Sequence, residues 1–151
     1  ARHGAARARG DAARASGRRD EARAAYVTAA RAFEAAGDNF QRGVCLTQLG
    51  RLAWRAGELS TAQAAFSRAF AALEPYDDPV RLALLGVYQA HVALLAGDED
   101  GAESHLARAL AIEAGHPQRG KAWRRAVGAL AAALPAEDRR RVSLAARARG
   151  G

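Results

Sequence analysis

Chemistry in this chain would have to come from a short roster. It holds one cysteine, Cys45, and four histidines, His3, His91, His105 and His116. Cys45 stands between Val44 and Leu46 with Leu49 one turn on, the setting of a small buried hydrophobe rather than an activated thiolate. The histidines are scattered, with no HxxxH pair and no second cysteine at ligand spacing, so no metal ligands are expected. No GxxxxGK[ST] or GxGxxG segment offers a phosphate cradle. Ser60 and Thr61 read as helix-capping hydroxyls, not nucleophiles. We therefore expect no catalytic residue, no cofactor and no enzymatic activity.

What remains is charge. The formal net charge is +7, and all basic residues but Lys121 are arginines. An Arg-for-Lys bias of this kind is what a GC-rich bacterial genome produces. Its distribution is uneven. Residues 1–19 carry six arginines against one aspartate, and residues 119–151 carry nine basic against two acidic side chains. The stretch 20–118 between them has an acidic excess of five. Basic ends can attract acidic partners, another copy of the chain, or nucleic acid through Arg139, Arg140 and Arg141. No aromatic side chain accompanies those arginines for base stacking, which makes nucleic acid the weaker reading.

The elements that must position these residues show in the spacing. Gly17, Gly57 and Gly97 are forty residues apart, as are Ala22, Ala62 and Ala102. The same step links Tyr26, Phe66 and Leu106, then Ala29, Ala69 and Ala109, then the small residues Gly10, Gly50 and Ala90. A fixed step of this length marks a repeat architecture. Each column has a packing reason. The small residues let two helices approach, and the large residue four positions after each Ala fills the wider gap. The recurring glycines end the first helix of each pair. Helices are expected over about 3–16, 18–36, 40–56, 58–74, 79–96, 98–114 and 118–134. Gly- or Pro-bearing links separate the pairs, and no strand pattern is present.

The central unit, Leu46 to Ala72, reads LTQLGRLAWRAGELSTAQAAFSRAFAA. Its Leu46, Leu49, Gly50, Ala62, Phe66 and Ala69, followed by Pro75, resemble the tetratricopeptide repeat (TPR) family in its forty-residue bacterial variety. Arg9 and Gln89 stand where the pattern has Leu in the outer units. The resemblance implies an all-α fold, a TPR-like α-solenoid of three helix pairs plus a C-terminal capping helix. It places a repeat domain over 1–134, with units of about 1–37, 38–77 and 78–116 and a partial unit over 117–134. Residues 135–151 form a basic segment, read as a short helix or disordered.

The resemblance also implies a function: a non-catalytic scaffold that takes a peptide or partner helix into a concave groove lined by the first helix of each pair. The residues placed there are Arg7, Arg14, Thr47, Arg51, Trp54, Arg55, Val87, His91, Arg124 and Val127. Basic at one end and apolar at the other, such a groove suits an amphipathic protein segment with acidic residues. Trp54, Leu94 and Leu134 can equally pack between neighbouring first helices, Arg51 and Arg55 can be ordinary solvated residues, and His91 can be structural. Two alternatives stand beside the scaffold. One is the sensor or effector portion of a larger bacterial transcriptional regulator, which the missing Met and mid-sequence start favour. The other is a self-associating or nucleic-acid-associated module acting through its basic ends. The lone cysteine fits a reducing, cytoplasmic setting, and the longest uncharged stretch, 126–136, is too short to span a bilayer.

Overall fold

The chain closes the first helix of each of its first three pairs with the same three-residue device. Gly17, Gly57 and Gly97 take φ of 74°, 77° and 79°. Turning left there lets the next amide reach back, Arg18 N to Ala13 O, Glu58 N to Ala53 O and Asp98 N to Ala93 O, each at 2.9 Å. Carbonyls left open at the helix end are thereby satisfied, and the chain reverses within the three residues between the helices.

The computed structural model describes residues 2–117 and 120–149. Among them are eight α-helices: α1 (Arg2–Ala15), α2 (Arg19–Ala35), α3 (Asn39–Arg55), α4 (Leu59–Leu73), α5 (Pro79–Leu95), α6 (Glu99–Gly115), α7 (Lys121–Ala133) and α8 (Arg139–Ala148). A 3-10 turn, Glu74–Tyr76, follows α4. No strand occurs among the described residues. The second helices start at Arg19, Leu59, Glu99 and Arg139, each forty residues after the last. Acidic side chains start many of the helices. Asp38, Asp78, Asp98 and Asp138 each accept a hydrogen bond from a backbone amide in the first turn, a cap that contributes about 1 kcal/mol.

The chain divides into two compact halves, Ala1–Asp77 and Asp78–Gly151. In the N-terminal half α1 packs on α2, α2 on α3 and α3 on α4. Its buried set includes Ala22, Tyr26 and Ala29 from α2 with Cys45 and Leu52 from α3. The glycine–aromatic columns meet as their sizes require. A Cβ on Gly10 would stand 2.8 Å from the Tyr26 ring, and one on Gly50 would stand 2.5 Å from the Phe66 ring. Each ring lies directly on backbone and is fully buried; burying such a ring contributes about 2 kcal/mol. Arg23 of α2 also reaches Glu58, at the start of α4, at 3.0 Å.

In the C-terminal half α5 packs on α6 and α7, and α7 packs on α8. The core gathers Ala83, Val87, Ala90, Leu106, Trp123, Val127, Leu130 and Leu144. The segment 135–151 was expected as a short helix or disordered; its described part holds α8, the partner of α7. Leu144 is 1% exposed, and Ala148 lies over Gly128, where a Cβ would meet it at 3.2 Å. The seventh helix, expected as the C-terminal cap, is thus paired with α8. No described helix is long and apolar enough to cross a membrane.

Candidate functional site

The first helices of the N-terminal half carry a linked set of polar side chains. Arg7, on α1, donates to the Gln41 side-chain oxygen on α3 and lies 3.9 Å from Asp11. Asp11 in turn accepts from the Tyr26 hydroxyl. Arg14 donates to that hydroxyl at 3.2 Å. The set borders an open cleft of about 390 Å³ lined by Gly4, Arg7, Ala8, Asp11, Phe33, Asp38 and Gln41. Arg7 and Arg14 were read as a basic groove end. Both are half-buried and engaged, and Asp11 and Asp38 stand in the same place, so this end presents a balanced polar surface. Burial, then the hydrogen bond to Asp11, pushes the Tyr26 hydroxyl up to about 12, so it stays protonated at ordinary pH.

Further along α3, Thr47, Arg51 and Trp54 are half-buried. Thr47 donates back to Gly43 O at 2.9 Å, and Arg51 reaches Gln48 at 3.4 Å. Trp54 sets its ring edge-on to Phe66, with centroids 6.3 Å apart. Arg55, at the helix end, is exposed. Trp54 occupies in the second pair the position Arg14 holds in the first, and each touches the aromatic of its own second helix.

The C-terminal half departs from the expected groove. Val87 and Val127 are 0% exposed and share one core cluster, because α5 and α7 press together there. They hold helices to each other and present no side chain to a partner. Leu94 packs on the same cluster and Leu134 is buried in it. Trp123 anchors α7 in this core. His91 is half-buried, and desolvation lowers its pKa. Arg124 is exposed.

One cluster was invisible to column reading. Arg31, Arg42 and Arg68, from α2, α3 and α4, border two adjoining hollows of about 220 and 250 Å³ whose shared wall is Val27, Leu46, Leu49 and Arg68. One step along the repeat Arg31 becomes Ala71 and Arg42 becomes Leu82, and one step back Arg68 becomes Thr28. No column therefore marks them.

Elsewhere the reactive groups are quiet. Cys45 is fully buried, and burial pushes its thiol up to about 11. Among the described residues no three His, Cys, Asp or Glu side chains gather closely enough to hold a metal ion. No protein-family model matches the chain, and no curated protein matches it either.

Proposed function

We propose that this chain is a non-catalytic interaction scaffold, a TPR-like stack of helix pairs that takes a protein segment along its first helices. The observation that carries the reading is the stripe on α3. Trp54 is braced by Phe66 yet half-exposed, and Arg51 and Thr47 share its face. A large aromatic held in place beside an arginine is the composition that most often dominates interface energy, since little side-chain freedom is lost on binding. The neighbouring cleft between α1 and α3 adds donors and acceptors in Arg7, Gln41 and Asp11. In this reading the segment lies with an apolar side chain on Trp54 and polar groups toward Arg51 and Arg7. Val87 and Val127 take no part, and the α1–α3 end accepts polar groups of either sign.

The test is co-purification from the native organism with the wild-type chain and with an Arg51→Glu/Trp54→Ala variant. The wild type is expected to retain a partner set that the variant loses. An unchanged set would reject the α3 stripe as the recognition surface.

A further inference from the structure

The hollows bordered by Arg31, Arg42 and Arg68 lie on a different face from that stripe. At roughly 100° per residue, the α3 positions 42, 46, 49 and 53 point about 135° away from 47, 51 and 54. The first set lines a trough with α2 on one side and α4 on the other. A third hollow, of about 320 Å³, continues from it past Arg42 and Arg68 to Pro75 and Tyr76. Tyr76, 47% exposed, stands edge-on to Phe40 with centroids 5.4 Å apart and forms the end wall.

Two properties single this trough out. Its floor is aliphatic, and the small side chains of Ala30, Ala64 and Ala65 leave room for a close approach. Its rim is basic and largely unspent. Arg23, which also lines the trough, pairs with Glu58, but among the described residues none of Arg31, Arg42 and Arg68 is ion-paired, whereas Arg7, Arg18, Arg81 and Arg140 elsewhere all are. Glu34 is the single carboxylate lining the trough, so positive charge is in excess over an apolar floor.

We propose that this trough is a second docking surface and that its occupant is an acidic amphipathic helix of another protein. The open, shallow shape does not enclose a small molecule. A single strand of nucleic acid would need stacking rings along its track, and the floor between Arg31 and Arg68 has none. A helix with aliphatic anchors at i, i+4 and i+7 meets Val27, Leu46 and Leu49, and acidic side chains flanking that stripe meet the three arginines.

The probe is a labelled synthetic helix of about 15 residues with a leucine stripe and glutamate flanks, beside a twin with glutamine flanks. Fluorescence anisotropy is expected to show saturable binding of the acidic helix, about tenfold tighter than its twin. Arg42→Glu/Arg68→Glu should weaken it about tenfold, and the milder Arg42→Gln/Arg68→Gln should weaken it less; circular dichroism checks that both fold. In methyl and indole NMR, Val27, Leu46 and Leu49 should shift while the Trp54 indole stays, and Arg51→Glu/Trp54→Ala should bind as wild type does. Equal binding of the two peptides, no saturation, or a shift centred on Trp54 would each overturn the proposal. So would tighter binding of a single-stranded oligonucleotide through the same arginines. Self-association of the free chain that Arg42→Glu/Arg68→Glu abolishes would hand the trough to a second copy instead.

Discussion

The first three helix pairs fill the same gap in different ways. In the first two a glycine lies under an aromatic ring, Gly10 under Tyr26 and Gly50 under Phe66. In the third, Ala90 and Leu106 sit in one core, both nearly fully buried. One methyl more on the first helix goes with a smaller side chain on the second. The repeat therefore holds a volume constant, not a residue. The three pairs also differ in what covers the large side chain: Arg14 and Asp11 on Tyr26, Trp54 on Phe66, Leu94 against the Leu106 core. Moving from polar lid to aromatic lid to aliphatic lid changes the exposed chemistry without changing the packing underneath.

Swapping the solutions tests this. Gly50→Ala alone should cost about 1–3 kcal/mol by driving a methyl into the Phe66 ring, offset by up to about 1 kcal/mol of helix propensity. Phe66→Leu alone leaves a void. Together they rebuild the arrangement of the third pair, so the double variant should have a urea midpoint well above the sum of the single losses. Simple additivity would break the comparison.

Tyr26→Phe gives the first pair the glycine–phenylalanine packing of the second and removes the hydroxyl between Asp11 and Arg14. A loss of about 1 kcal/mol is expected. The pH dependence should change with it. Tyr26 has its folded pKa raised from 10 to about 12, so between those values the folded chain holds a proton the unfolded chain has lost. Its contribution is complete below pH 10 and disappears as pH rises through about 12. Cys45, raised from 9 to about 11, adds an earlier alkaline limb. Denaturation midpoints between pH 8 and 12 should show both limbs in the wild type, and only the Cys45 limb in Tyr26→Phe.

The smallest effect belongs to the ends of α2 and α4. Gly37 and Asp77 are forty residues apart, and both turn left, at φ of 74° and 50°. Asp77 bears a strain that Gly37 avoids. Asp77→Gly should stabilise by up to about 1 kcal/mol, and Gly37→Ala should destabilise by about the same. Melting temperatures moving the opposite way would show that the two turns are not equivalent.

The helices were largely legible in the sequence because glycine, alanine and large-residue columns impose both period and phase. The helix α8 was not resolved from disorder because those columns fail there. Glu137, Val142, Ala146 and Arg149 stand where Gly97, Ala102, Leu106 and Ala109 would lead one to look. Asp138 keeps the register by capping, and Leu144, in no column, supplies the burial. The candidate site was legible in part. Period alone places Val87 and Val127 in a row with Thr47, but not which rows become buried where first helices meet. Arg7 and Arg14 read as free charge because Gln41 and the Tyr26 hydroxyl, their partners, lie 34 and 12 residues away. The trough arginines are distant in sequence and out of register, so only folding brings them together.

The forty-residue register of helix starts also bears on how this chain can change length. Removing residues 38–77 would join Gly37, a left-turning helix stop, to Asp78, a helix cap followed by Pro79. That junction has the same grammar as the natural one, Gly37 followed by the cap Asp38. Duplicating the same segment would place a second Asp38 after Asp77, which already turns left. At the level of DNA, an in-frame slip of 120 nucleotides therefore adds or deletes a helix pair while leaving every stop and start signal in phase.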